Sequence, residues 1–78
     1  MNKETVLKQY PLMLRTNNII KKYGVKISWI AEKLNINNKF LSAFINGKYV
    51  LEELQYNKLI SFLDEYDKRM IGFMTLEN

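Results

Sequence analysis

The chain has 78 residues, and a chain this short buries only about 60–65% of its unfolded surface around one small core. It contains no cysteine and no histidine, which excludes disulfide staples, Cys/His zinc sites, thiol nucleophiles and imidazole bases. Twelve Lys/Arg against eight Asp/Glu give a net charge of +4, so nucleic acid is the first partner to test.

Taken in chain order, the apolar positions recur every three to four residues, which predicts an all-α bundle of about five short helices over residues 1–78. The first, from Asn2 to Tyr10, is expected to end or reset at Pro11, which has no amide hydrogen to donate. The second runs from Leu12 to Tyr23, with Leu12, Ile19, Ile20 and Tyr23 on a buried side and Gly24 as a left-handed stop. The third, Ile27 to Leu34, carries Ile27, Ile30, Ala31 and Leu34 on one face, and Asn35 turns the chain. The fourth, Asn38 to Asn46, has Leu41, Phe44 and Ile45 as its apolar set, between Asn37 as N-cap and Gly47 as C-cap. The fifth, Glu52 to Lys68, aligns Tyr56, Leu59, Phe62, Leu63 and Tyr66, with acids in its first turn and bases at its end. After Gly72, the tail Phe73-Met74-Thr75-Leu76 is too short for an independent element. No apolar run reaches membrane-spanning length and the N-terminus lacks a signal-peptide layout, so the expected location is cytoplasmic.

The charges are unevenly placed. Residues 15–48 hold Arg15, Lys21, Lys22, Lys26, Lys33, Lys39 and Lys48 against Glu32 alone, a surplus of +6. Residues 49–67 hold Glu52, Glu53, Asp64, Glu65 and Asp67 against Lys58, a surplus of −4. A solvated helix face accounts for either sign equally well.

The informative stretch is Ile27 to Lys48. Two short helices that cross steeply need a small residue where their backbones approach, a residue tolerant of positive φ after the first helix, and an apolar plug in the corner. Ala31, Asn35 and Ile36 supply these in the required order, and Leu41 and Phe44 can close against Ile30 and Leu34. The pattern predicts a helix-turn-helix.

These residues, with the Phe44-Ile45-Asn46-Gly47-Lys48 close and the later Lys58-Leu59-Ile60-Ser61-Phe62-Leu63, resemble the lambda-repressor/Cro family of helix-turn-helix DNA-binding regulators. The resemblance covers about Leu12 to Tyr66. It departs at the turn, where Asn35 replaces the family's frequent Gly, and at Lys26-Ile27, which replaces a polar pair whose Gln touches a phosphate. The resemblance implies a sequence-specific regulator of double-stranded DNA, such as a small phage or mobile-element repressor that binds a palindromic operator as a homodimer.

It further implies that a recognition helix enters the major groove and reads base edges from its first turn. Asn38, Lys39, Ser42 and Ala43 occupy those positions: Asn matches adenine, Lys reaches guanine, and the alanine methyl suits thymine. Lys26, Asn37, Asn46, Gly47 and Lys48 occupy the phosphate-gripping positions, although Asn37 is equally explained as a cap. Phe40 can lie on a DNA sugar or base, fold onto Trp29, or mark a protein-binding surface. Trp29 fits a core or half-core position. The segment 52–78, above all Met70 to Leu76, is the candidate dimer element, with packing on the monomer core as its alternative.

No serine has a histidine to activate it, and no phosphate loop is present, so neither catalysis nor a cofactor, metal or small-molecule ligand is expected. The rival function is a protein-interaction module on the same fold, such as a phage-encoded inhibitor of a host protein. The acidic segment after Gly47, Phe40 and the missing Gln at Ile27 support it.

Overall fold

The helical periodicity is realised as four helices in a computed structural model that describes the backbone of residues 3–77 and the side chains of residues 3–72. They are α1 (Lys3–Tyr23), α2 (Ile27–Leu34), α3 (Asn38–Ile45) and α4 (Glu53–Glu77). α1 packs on α3 and α4, and α2 packs on α3 and α4. Ile30, Leu41, Leu59 and Leu63 are fully enclosed at the centre, with Leu12, Ile19, Ala31, Ile36, Phe44 and Leu51 around them.

Each interhelix break is made by one left-handed residue. Gly24 sits at φ 67°, Asn35 at 55° and Gly47 at 74°. After α2 the Ile36 amide donates to the Ala31 carbonyl at 2.9 Å, and after α3 the Lys48 amide donates to the Ala43 carbonyl at 2.8 Å. This is the six-to-one closure that satisfies the last carbonyls of a helix. In the first, Ile36 is buried, as its corner position requires, whereas Lys48 in the second stays exposed. α4 opens on Glu52, whose amide donates to the Gln55 side chain at 3.0 Å, half of a capping box.

The expected break at Pro11 does not occur, so the first two expected helices are one. A helical Pro forfeits one hydrogen bond and costs about 3 kcal/mol. Here the chain continues because both halves are held from outside the helix. Gln9, Leu12, Thr16 and Ile19 form one buried stripe spanning Pro11, and the proline ring itself faces solvent. Pro11→Ala restores the missing donor, partly offset by a more flexible unfolded chain, and is expected to stabilise the fold by about 1–2 kcal/mol in urea unfolding.

Gly72 likewise does not stop α4, which runs to Glu77 rather than Lys68. One glycine costs about 1 kcal/mol in a helix, and nothing in the following residues offers a competing turn. The tail is thus the last turns of α4. The side chains of Phe73 to Leu76, on which the expected dimer element partly rests, lie outside the described residues.

Candidate nucleic-acid interface

α3 is eight residues long, with Leu41 and Phe44 buried on its inner side. Helical spacing then places Asn38, Lys39, Ser42 and Ala43 together on the other side, with Asn46 continuing the row one turn further. Asn38 and Lys39 are exposed, whereas Ser42 and Ala43 are half-buried. The row is internally bonded: the Ser42 hydroxyl donates to Asn38 Oδ1 at 3.4 Å, and Asn46 Nδ2 donates to the Ser42 carbonyl at 2.9 Å.

Asn37 is the N-cap, and its side-chain oxygen accepts from the Lys39 amide at 2.9 Å. Its oxygen is therefore occupied in capping, while its amide group remains on the exposed rim. No acidic residue lies in the first turn of α3 or of α2, so the positive ends of both helix dipoles stand uncompensated. Lys26 is the N-cap of α2 and exposed there without a side-chain capping bond. A cation at the positive end of a helix is unfavourable until an anion approaches both.

Asn46, Gly47 and Lys48 form the turn that leaves α3, and all three are exposed. A Cβ on Gly47 would meet only Met13 Sδ at 3.7 Å, so the positive φ, rather than crowding, is what requires glycine. The row from Asn38 to Lys48 is continuous. Lys26 stands apart, with no hydrogen bond or ion pair to that row among the described residues.

Two amide side chains on α1, absent from the sequence reading of the site, hold this end of the molecule in place. Asn17 Nδ2 donates to the Ile45 carbonyl at 2.9 Å and ties the last turn of α3 to α1. Gln9 is buried and bonds the backbone of Leu51 twice, donating to its carbonyl at 2.8 Å and accepting from its amide at 2.9 Å. The segment from Asn46 to Leu51 is thus clamped at both ends. The only clue in the sequence is a Gln and an Asn eight residues apart in an otherwise apolar-patterned helix.

The aromatic expectations are redistributed. Phe40 does not fold onto Trp29. It stacks on Tyr49 with centroids 4.9 Å apart and an interplanar angle of 16°. Trp29 is more exposed than a core position, packing edge-on against Phe62 and Tyr66 at 5.7 and 6.2 Å. Among the described residues no group of three or more acidic side chains is disposed to hold a metal ion, and no helix is long and apolar enough to cross a membrane.

No family model matches the chain, and no curated protein or solved structure is significantly similar to it.

Proposed function

We propose that this chain is a sequence-specific double-stranded DNA-binding regulator, a small repressor of the phage or mobile-element kind, that reads an operator with α3 in the major groove. The observation that carries the reading is the outward side of α3. Asn38, Lys39, Ser42 and Ala43 share it, one capped helix N-terminus leads into it, and the Asn46-Gly47-Lys48 turn follows directly. Amide and ammonium groups in a first turn are what major-groove edges recognise, and a glycine turn beside a lysine lets a phosphate approach backbone amides. The resemblance of Ile27 to Lys48 to lambda-repressor-like helix-turn-helix domains supports the same assignment. Asn38, Lys39, Ser42 and Ala43 read bases, while Lys26, Asn37, Asn46, Gly47 and Lys48 position the backbone.

Such a helix reads few base pairs, each contact being worth about 1–3 kcal/mol, so two copies on a two-fold operator supply the selectivity. Occupying a promoter site then represses by excluding the polymerase.

Lys39 and Lys48 separate the two kinds of contact. Lys39→Ala is expected to relax preference at one base position, with a loss of about 1–3 kcal/mol on the preferred site. Lys48→Ala should weaken every duplex alike and reduce the slope of log K against log salt by about one unit. Titrations of both variants on specific and scrambled duplexes at several salt concentrations decide the matter. Identical behaviour of the two variants contradicts the placement of the reading helix.

The protein-interaction reading gains one observation of its own. Leu7, Tyr10 and Leu14 lie on the outer side of α1 at helical spacing and are 64%, 51% and 43% exposed. Duplex binding that survives Leu7→Ala and Leu14→Ala separates that surface from the DNA-reading one.

A further inference from the structure

We infer that the cleft between α2 and α4 is a docking groove for an acidic amphipathic helix of another protein. This surface lies apart from the DNA-reading side, because no residue of α3 or of its flanking turns lines it.

α2 and α4 pack on each other and leave a cleft of about 760 Å³ along their junction. Its floor is apolar, made by Trp29 and Leu34 of α2 with Leu54, Phe62 and Tyr66 of α4. Trp29 lies edge-on to Phe62 and Tyr66, at 5.7 and 6.2 Å, and is still 39% exposed. Leu54, in the first turn of α4, is 66% exposed. A single exposed leucine is ordinary, but here large apolar groups are left wet along one concave surface.

The charges around that floor run against those of the helix that carries it. Residues 49–67 sum to −4, yet Glu53, Asp64 and Asp67 of α4 lie on its α1 side. Asp64 pairs with Arg15 at 2.7 Å, Asp67 accepts from the Tyr23 hydroxyl at 3.2 Å, and Glu53 lines a separate cavity with Lys8. On the cleft side, Lys58 and Arg69 of α4 join Lys33 of α2 against Glu65 alone, a surplus of +2. Glu65 pairs with Arg69 at 3.5 Å, whereas Lys33 and Lys58 have no ion pair among the described residues. Lys33 Nζ lies 5.6 Å over the Trp29 ring, and Lys58 Nζ donates to the Leu34 carbonyl at 3.4 Å. Both ammonium groups therefore border the apolar floor with donors to spare for a carboxylate.

Shape and charge together select the occupant. An apolar groove between two helices receives a third helix, whose residues at i, i+3, i+4 and i+7 turn inward. From Leu54 to Arg69 the groove runs roughly 22 Å along α4, the length of about four helical turns. Lys58 and Arg69 are about three turns apart, so acids at that spacing on the occupant meet both. A second copy of this chain would set the same positive surplus against itself across a two-fold axis. A DNA duplex supplies anions but no apolar side chain to fill the floor.

Trp29 is the chain's one tryptophan, so its emission reports occupancy of the cleft directly. The probes are peptides of about 16 residues, four to five helical turns, selected on the protein from a random displayed library lacking Trp and Tyr. The selected peptides are expected to carry acids about three turns apart flanking Leu, Ile or Phe, and to shift Trp29 emission to the blue. Lys33→Glu and Lys58→Glu, both at exposed positions, should each weaken binding about tenfold with an unchanged circular-dichroism spectrum. Exchanging one peptide acid for Lys should restore binding to the Lys58→Glu protein. Selected peptides without acids, peptides that leave Trp29 emission unmoved, or the absence of any selectable peptide overturn the proposal. A blue shift on concentrating the protein alone also overturns it and assigns the cleft to a second copy. An equal shift with a DNA single strand or duplex overturns it in favour of nucleic acid. Because the peptide assay contains no DNA, a protein that takes the peptide but retains no duplex would refute the DNA reading and leave this groove standing.

Discussion

Gln9→Leu is expected to destabilise the protein by about 2–5 kcal/mol. The leucine fits the space of the glutamine, so no cavity or clash is introduced. What is lost is the pairing of the Leu51 amide and carbonyl, which among the described residues rests on Gln9's double contact at 2.9 and 2.8 Å. Each buried backbone group left without a partner costs about 1–3 kcal/mol. A chain of 78 residues has a total stability of roughly 4–12 kcal/mol, so the variant sits near the edge of folding. Thermal unfolding checks this: a domain of this size loses roughly 4–8 °C per kcal/mol. A melting temperature within two or three degrees of wild type would show that the clamp is dispensable.

The same variant should also weaken duplex binding beyond its effect on folding. With Leu51 released, the Asn46–Val50 segment keeps its ties to α3, through Asn17, the Ala43 carbonyl and the Phe40 ring, and loses the one at the α4 end. Lys48 then has to be ordered at the cost of binding energy.

Leu41→Ala should be comparably severe, about 2–5 kcal/mol, but for a different reason. Leu41 is fully buried in α3 and faces the α2 residues Ile30 and Ala31 within the same core. Removing three carbons there leaves a cavity that short, tightly turned helices cannot collapse around. Urea unfolding measures the loss. Because Leu41 shares α3 with Asn38 and Lys39 on the opposite side, DNA affinity should fall in proportion to the unfolded fraction. A loss of affinity with full folding would place Leu41 on the binding surface and contradict the orientation of α3.

Much of the architecture is local in origin and was legible for that reason. Gly24, Asn35 and Gly47 are the residue types that tolerate positive φ, and each adopts it. Ile30, Ala31, Ile36, Leu41 and Phe44 follow the apolar period into the core. Pro11 and Gly72 were misleading because their cost is a few kcal/mol at most, and packing along α1 and the continuity of α4 outweigh it. Gln9 and Asn17 were invisible because their partners lie 42 and 28 residues away, at Leu51 and Ile45. An amide on a helix carries no mark of such a distant bond. Trp29 and Phe40 were ambiguous because an aromatic ring serves core and rim equally. Their neighbours, Phe62 with Tyr66 and Tyr49, come from other parts of the chain.

For the candidate site, the sequence held the residue types and their helical spacing, and the fold supplied their arrangement. Asn38, Lys39, Ser42 and Ala43 share one side of α3, and Asn46 to Lys48 continue from it. Asn37 is occupied by its capping bond, and Lys26 marks a separate helix start. Of the basic surplus over residues 15–48, Lys26 and Lys39 stand at the uncompensated starts of α2 and α3, Lys21, Lys22 and Lys33 lie in the last turns of α1 and α2, and Arg15 is withdrawn by a 2.7 Å ion pair with Asp64 of α4.

Selection of bound sequences from a pool of random DNA duplexes decides whether α3 reads DNA. A roughly palindromic site whose half-sites lie about 34 Å apart, one turn of the double helix, is expected to be enriched. Failure to retain any duplex at low salt, where phosphate contacts are strongest, would contradict it.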